Sequence, residues 1–388
     1  MKLHNAQIEP ASFAALRGWA HDDHAAAFAA FLNSCKAILN STRAIRAGRP
    51  IYAGLYNVCK RADAAAPLNR AQARAFFEAN FEPVRVAPLN EAQGFFTGYY
   101  EAEFAGSRYP SDEYTVPLYR VPRKDIGKSR VFNKLDRSEI EDGAIAGRGL
   151  EICYVKDPID AFFAQIQGSA RIKLENGKLL RLNYIASNGK PYTPVGRFLI
   201  ERGIVSREDM SMDRIREWME ANPEEGKELR RKNRSFVFFE ETDLGPHDEC
   251  IGAQGVPLTA ERSIAVDNSQ HVYGTPIWVE ADLPIASEKP ETPFHHLMVA
   301  QDTGSAIVGP ARADIYFGHG VDAPHIAGRI KQYGNFYMLV PKSVRIERNV
   351  KTPIPRPKPT NLIVSQAATA AGDKEASAAP LPRPRMQP

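Results

Sequence analysis

The chain has 388 residues, 43% hydrophobic and 25% charged, with a formal net charge of +4. That length accommodates two domains and a sizeable core. The charge is dispersed rather than gathered into a basic stripe with interleaved aromatics, so no nucleic-acid partner is expected, and no apolar run approaches the roughly 18–20 residues of a membrane span.

Met1-Lys2-Leu3-His4-Asn5 leads into Glu, Pro and Ser rather than an apolar segment. No secretory signal is read there, so the expectation is either a cytoplasmic chain or a leader lying outside this sequence. Residues 1–90 read as helical. Phe28, Phe31, Leu32, Cys35, Ile38 and Leu39 keep the spacing of one buried helix face, with Asp22 or Asp23 as N-cap. A second helix is expected after Asn69, running through Phe76-Phe77 toward Pro83. The four cysteines, Cys35, Cys59, Cys153 and Cys250, form no CxxC pair. Cys35 and Cys59 could be disulfide-bonded in an oxidising compartment or remain two buried thiols.

From Gly94 the texture turns to short aromatic and β-branched runs: 95–100, 115–120 and 152–155 read as strands. Residues 171–182 read as a hairpin around Asn176-Gly177. One helix is expected between Pro194 and Gly203, and another from Ser211 to Asn222-Pro223 with Ile215, Trp218 and Met219 inward. Strands return at 235–239, 277–279, 296–299 and 336–340. Residues 351–388 hold 8 of the 29 prolines, a composition expected to stay disordered.

The most informative stretch is 300–318, where Asp302 and Asp314 stand in a Gly-rich, nearly uncharged segment, with Asp267 upstream. Carboxylates in such settings are costly to bury unless hydrogen-bonded or protonated, which points to acid chemistry. Asp302-Thr303-Gly304 matches the aspartic-peptidase triplet; those enzymes need two such carboxylates and the chain has one copy, so the peptidase alternative requires a dimer of the retroviral type, whose subunits are normally much shorter. Asp267 also has a plain reading as a turn-forming Asx residue. Asp314 could instead be a strand-end acid paired with Arg312 or Arg329. His295, His296, His319 and His325 lack a metal-ligating helical spacing, so no metal is expected.

Taken in order, 253–258, 262–267, 273–279, Asp302–Ile307 and Asp314–Gly318 resemble the three-aspartate domain, a double-psi β-barrel. Upstream, Phe95–Glu101, Asp160–Ser169 and Asn233–Phe239 resemble the remainder of the membrane-bound lytic murein transglycosylase A family. The resemblance covers about residues 90–342. It implies a mainly β fold with accessory helices: a double-psi β-barrel domain plus a second, inserted β-domain. The expected boundaries are 1–104 with 241–345 for the barrel and its helices, 105–240 for the insert, and 346–388 for the tail.

It also implies a peptidoglycan lytic exotransglycosylase of the periplasm or outer-membrane-associated envelope. Such an enzyme cleaves between N-acetylmuramic acid and N-acetylglucosamine, forms 1,6-anhydromuramic acid, and needs no cofactor. The family's catalytic acid carries over to Asp314, with Asp302 and Asp267 in supporting positions. Thr97, Tyr99, Tyr100, Gln165, Gln167, Ser169, Thr303 and Gly304 are expected to contact glycan. Tyr184, Ser187, Asn188 and Tyr192 offer similar groups beside a turn. The family's usual Gly, Lys and Gly are replaced by Ser305, Val308 and Ala170. These departures leave room for a glycan-binding module of the same fold without activity.

Overall fold

The computed structural model describes residues 3–40 and 50–345. Strand β1 (Ala6–Pro10) opens the chain, followed by helix α1 (His24–Asn40). Asp23 caps α1: its Oδ1 accepts from the N–H groups of Ala25 and Ala26 at 3.1 and 3.2 Å. Phe28, Phe31, Cys35 and Ile38 form the buried face, as their spacing requires. Helix α2 (Pro50–Ala65) lies against α1, and Cys35 and Cys59 are joined as a disulfide with Cα atoms 4.9 Å apart. Reduction, or the Cys35→Ser/Cys59→Ser pair, is therefore expected to lower unfolding stability by about 2–4 kcal/mol. A urea midpoint unchanged by reductant would contradict this.

Helix α3 (Arg70–Asn80) starts at Asn69, whose side chain forms a reciprocal capping box with Gln72. The expected helical character of 1–90 is then corrected. Residues Phe81–Pro88 form strand β2, antiparallel to β1 with Ile8 opposite Val86. Pro83 withholds a helix donor, and Val84 and Val86 favour extended backbone.

The chain continues through β3 (Gly94–Tyr99), β4 (Ala102–Ser107), β5 (Val116–Tyr119), α4 (Arg137–Glu141), β6 (Glu151–Val155), α5 (Pro158–Gln167), β7 (Ser169–Leu174) and β8 (Leu179–Ser187). Helices α6 (Gly196–Glu201), α7 (Met212–Ala221) and α8 (Pro223–Lys232) follow, then β9 (Val237–Thr242). The last part holds β10 (Ser263–Val266), β11 (Pro276–Leu283), β12 (Thr292–Asp302), β13 (Arg312–Tyr316), α9 (Asp322–Arg329) and β14 (Lys331–Pro341).

These strands form two sheets. The first has the order β1-β2-β14-β11-β12-β10-β13-β3, and β3 also pairs with β14, so six strands close on themselves as a barrel. The second has the order β5-β6-β4-β7-β8-β9. The strands of the second sheet all lie, in sequence, between β3 and β10. The fold is thus mainly β with attached helices. A continuous core of α1, α2, α3 and the barrel buries Phe28, Phe31, Phe77, Phe81 and Trp278. Each buried side chain of this size contributes about 1.5–3 kcal/mol. The second sheet has its own core around Ile152, Ile172, Leu182 and Phe239.

Two polar clusters tie the segment between β4 and β9 to the barrel side. Glu101, between β3 and β4, is buried against Arg171 and Arg181 of β7 and β8. The same guanidiniums donate to the carbonyls of Gly245, Pro246 and Asp248, on the segment returning to the barrel. At the other end, Lys331 Nζ donates to the carbonyls of Arg207, Glu208 and Met210, and His325 Nδ1 lies 2.9 Å from Asp213 Oδ2.

Candidate active site

Strand β13 runs between β10 and β3, with Asp314 opposite Ala265 on one side and Thr97 on the other. Alternation sends Ala313 and Ile315 into the core and leaves Arg312 and Asp314 partly exposed on the other face. On β3 the same alternation presents Phe95, Thr97 and Tyr99 beside them. Gly98 faces inward, where a Cβ would lie 2.8 Å from Ala327 Cα, so α9 can rest directly on β3. Strand β12 ends at Asp302, and the following residues Thr303–Ile307 complete this floor.

Above it, the inserted segment supplies the opposite wall. The result is a cleft of about 700 Å³ lined by Thr97, Tyr99, Asp302, Arg312 and Asp314 on one side. Arg137, Phe162, Gln165, Gln167 and Tyr192 line the other. Gln165 and Gln167 sit on α5, a helix that sequence reading had not separated from its motif. Asp157 caps it, Pro158 is its first residue, and Gly168 at φ 82° turns it into β7.

Thr97 Oγ1 donates to Asp314 Oδ1 at 2.6 Å and accepts from Arg312 Nη2 at 2.7 Å. A hydroxyl has one proton and a guanidinium accepts none, so the Thr97 proton is committed to Asp314 Oδ1. A proton carried by Asp314 must then reside on Oδ2, which has no hydrogen-bond partner among the described residues. Burial pushes the Asp314 carboxyl above the usual carboxylate range, against the opposing pull of Arg312 and Thr97. No guanidinium forms an ion pair with Asp314 among the described residues. Arg312 reaches Thr97 instead, and Arg329 reaches the Ile285 carbonyl.

Asp302 is bound differently. Its Oδ1 accepts from the N–H groups of Ala253 and Thr303 at 2.8 and 2.9 Å, and its Oδ2 accepts from Tyr99 at 2.9 Å. Burial raises its carboxyl, the three donors lower it, and Asp314 raises it further. The Tyr192 hydroxyl is pushed up to about 12 by burial and by the charge of Asp314 across the cleft. Arg137 is driven down to about 10 by burial, and its guanidinium lies over the rings of Phe162 and Phe236.

Thus Asp314, Asp302, Thr97, Tyr99, Gln165, Gln167, Thr303 and Gly304 share the cleft. Other sequence candidates lie elsewhere. Asp267 is 7% exposed and accepts from Ser269 and, at 2.8 Å, from the Gly309 N–H, which pins the loop behind Asp302. Burial raises its carboxyl, but these hydrogen bonds outweigh it and hold the group below the usual range. Tyr100 is buried outside the cleft lining, its N–H donating to Gln167 Oε1. Ser169 is buried beside Cys250. Asn188 is fully enclosed, donating to Leu135 and Arg234 carbonyls and accepting from the Phe236 N–H. Ser187 Oγ accepts from the Gly189 N–H, and Tyr184 is 44% exposed, both away from the cleft lining. Of that turn region only Tyr192 lines the cleft. Arg312 and Arg137 were not singled out as site residues from sequence.

Among the described residues, no cluster of His, Cys, Asp or Glu could hold a metal, and no helix is long and apolar enough to cross a membrane.

Comparison with known proteins agrees with this architecture. Residues 95–240 match the MltA specific insert domain, and residues 262–340 match the 3D domain. The membrane-bound lytic murein transglycosylase A of Escherichia coli (strain K12) is 37% identical over 247 residues. That match takes in 63% of this chain and 65% of the relative, so it spans just under two thirds of the curated relative's length. The crystal structure of a membrane-bound lytic murein transglycosylase from Agrobacterium tumefaciens is similar over 87% of this chain and 98% of its own, at 34% identity and a TM-score of 0.77. The E. coli MltA crystal structure with bound chitohexaose is similar over 81% of this chain and 89% of its own, with 30% identity and a TM-score of 0.64.

Proposed function

The chain belongs to the membrane-bound lytic murein transglycosylase A family, and from that premise we propose that it cleaves peptidoglycan glycan strands in the cell envelope as a lytic transglycosylase. The barrel with its helices and the inserted β-lobe form the two walls of the glycan cleft. The carrying observation is the asymmetry of the two acids. Asp314 lines the cleft with one oxygen that has no hydrogen-bond partner among the described residues, whereas both oxygens of Asp302 are occupied by donors.

Ordinary glycoside hydrolysis needs two free carboxylates, one as acid and one as nucleophile or base. A single free acid suffices when the nucleophile belongs to the substrate. Asp314 Oδ2–H protonates the glycosidic oxygen between N-acetylmuramic acid and N-acetylglucosamine, and the C1–O bond breaks. The C6 hydroxyl of the same muramoyl sugar bonds to C1 and returns its proton to Asp314. Held over C1, that hydroxyl replaces water through proximity. Asp302, bridged to Tyr99, stabilises the oxocarbenium-like charge and holds the Asp302–Gly304 loop. Gln165, Gln167, Thr303 and Gly304 contact sugar hydroxyl and N-acetyl groups. Thr97 acts through Asp314, by keeping the transferable proton on Oδ2.

Digestion of purified glycan strands is expected to yield termini closed as 1,6-anhydro rings. Accumulation of new reducing ends in step with cleavage would instead make the protein a hydrolase.

The raised Asp314 carboxyl sets a pH dependence. The acid must start protonated, so kcat/KM is expected to fall as pH rises through its elevated pKa. Arg312 and Thr97 both lower that pKa. Arg312→Gln and Thr97→Val should therefore move the alkaline limb to higher pH, and Thr97→Val should cut kcat by about tenfold through loss of a charge-assisted hydrogen bond. A limb unmoved in both variants would assign it to another group.

A further inference from the structure

Helix α1 reaches the acids from behind. At the end of β12, alternation turns Asp302 toward the cleft and Gln301 inward, where its side chain is fully buried. Gln301 Nε2 donates to the Ala30 carbonyl and to Ser34 Oγ of α1, each at 2.9 Å. Its Oε1 accepts from Ser263 Oγ of β10 at 2.5 Å. Ser34, also fully buried, passes its own proton to Gln254 Oε1 at 2.8 Å. The Gln254 N–H returns to the Gln301 carbonyl at 3.0 Å. A closed ring of hydrogen bonds thus joins Gln301, Ser34 and Gln254. A Cβ at Gly252 would lie 2.6 Å from the Gln301 carbonyl oxygen, so the 252–255 turn rests directly on β12. Between Gly252 and Gln254 stands Ala253, whose N–H donates to Asp302 Oδ1 at 2.8 Å. Ala253 is exposed, so water would take this N–H if the turn were free. A buried amide is costly unless its groups are paired, and an apolar residue fills the same space without that demand. Packing alone therefore does not account for the ring.

We infer that the Gln301–Ser34–Gln254 ring is a positioning device for Asp302: it holds the Ala253 N–H on Oδ1 and so supports the reaction from outside the cleft. None of Ser34, Ala253, Gln254 and Gln301 lines the cleft, so all four act through Asp302 rather than on glycan. Asp302 stabilises developing positive charge only while ionised, and each N–H on its oxygens favours that form. Burial raises the Asp302 carboxyl, and the Ala253 N–H is the foremost group that lowers it. Opening the ring lets that N–H turn to water, and the Asp302 carboxyl then rises further. The ionised share of Asp302 falls at a given pH, while the contacts to sugar stay as they are. The role assigned to the ring rests on the transglycosylase reading.

The test follows anhydro-terminated products from soluble glycan strands across pH, using the whole protein as wild type, Ser34→Ala, Gln254→Met and Ile38→Val. Ser34→Ala and Gln254→Met each open the ring at nearly constant volume. Ile38→Val loosens the same face of α1, where Ile38 abuts Gly274, and leaves every ring member in place. Both ring variants are expected to move the acid limb of kcat up by about one pH unit, a loss of roughly tenfold on the acid side of the optimum, with KM unchanged. Ile38→Val should keep the wild-type limb whatever its urea midpoint. An acid limb at the wild-type pH in both ring variants overturns the positioning role, even where kcat falls. A limb that moves equally in Ile38→Val overturns it too, since loosened packing then suffices. Wild type forming no anhydro termini removes the transglycosylase reading, and the positioning role with it.

Discussion

Asp314→Asn is expected to lose about a hundredfold to ten-thousandfold in kcat, because the amide carries no proton to lend and cannot take one back. Glycan binding should persist, since the amide keeps the shape and an acceptor for Thr97. Stability should move the other way. The folded-state pKa of Asp314 lies above its ordinary value, chiefly through burial. The folded protein therefore binds more protons than the unfolded chain between the two values, and its stability declines as pH rises through that window. Removing the carboxylate should raise Tm at neutral pH, with the difference vanishing below the ordinary carboxylate range. An inactive variant that is also less stable at neutral pH would indicate a structural acid instead. Gain of stability on loss of a catalytic group is the usual trade at sites built under strain.

Glu101→Ala carries the largest expected cost in stability, about 3–5 kcal/mol in urea unfolding. Glu101 is 1% exposed and accepts from Arg181 Nη2 at 2.8 Å on both oxygens and from Arg171 Nη1 at 3.2 Å. Truncation leaves the buried Arg181 guanidinium without a counter-charge and Arg171 with only Glu103, 3.5 Å from its Nε. The cost lies in breaking the cluster rather than in its absence, so a compensated triple variant with apolar residues at 101, 171 and 181 should recover much of the loss. Glu101 follows Tyr99 and Tyr100 directly, and its N–H donates to the Gly318 carbonyl just beyond β13. Residual folded Glu101→Ala should therefore also turn over more slowly than wild type. Wild-type urea midpoints in Glu101→Ala would show that the guanidiniums find other partners.

Local signals in the sequence correspond to observed elements. The Asn69 cap, the Asn176-Gly177 turn and the apolar face of α1 all act within a few residues, and each stands where its pattern indicates. Asp302 and Asp314 were legible because acids in an apolar Gly-rich run are chemically conspicuous. Element switches without a break in composition were not legible. Strand β2 follows α3 without a loop, and α8 begins at Pro223, which reads equally as the stop of α7 and as the first residue of a new helix.

Side-chain direction was the other blind spot. Asn188 and Tyr192 are four residues apart and chemically alike as glycan contacts. One is enclosed by backbone carbonyls and the other lines the cleft. Asp267 belongs to the motif of three acids, yet it spends its lone pairs on its own turn and on Gly309. Thr97, Arg312 and Asp314 come from positions more than 200 residues apart in the first case and two in the second; only the pairing of β3 with β13 makes them one unit. Phe95 and Tyr333 meet through the pairing of β3 with β14 in the same way. Register between distant strands is set by the whole barrel, and no short window of sequence contains it.

In the proposed reaction one carboxyl lends and recovers a proton while the sugar's own hydroxyl, not water, closes on C1. Cleaving glycan strands in water enriched in heavy oxygen tests this directly. Products one water lighter than hydrolysis fragments, with no label at the muramoyl anomeric carbon, are the expected result. Heavy oxygen at that carbon in the primary products would contradict it.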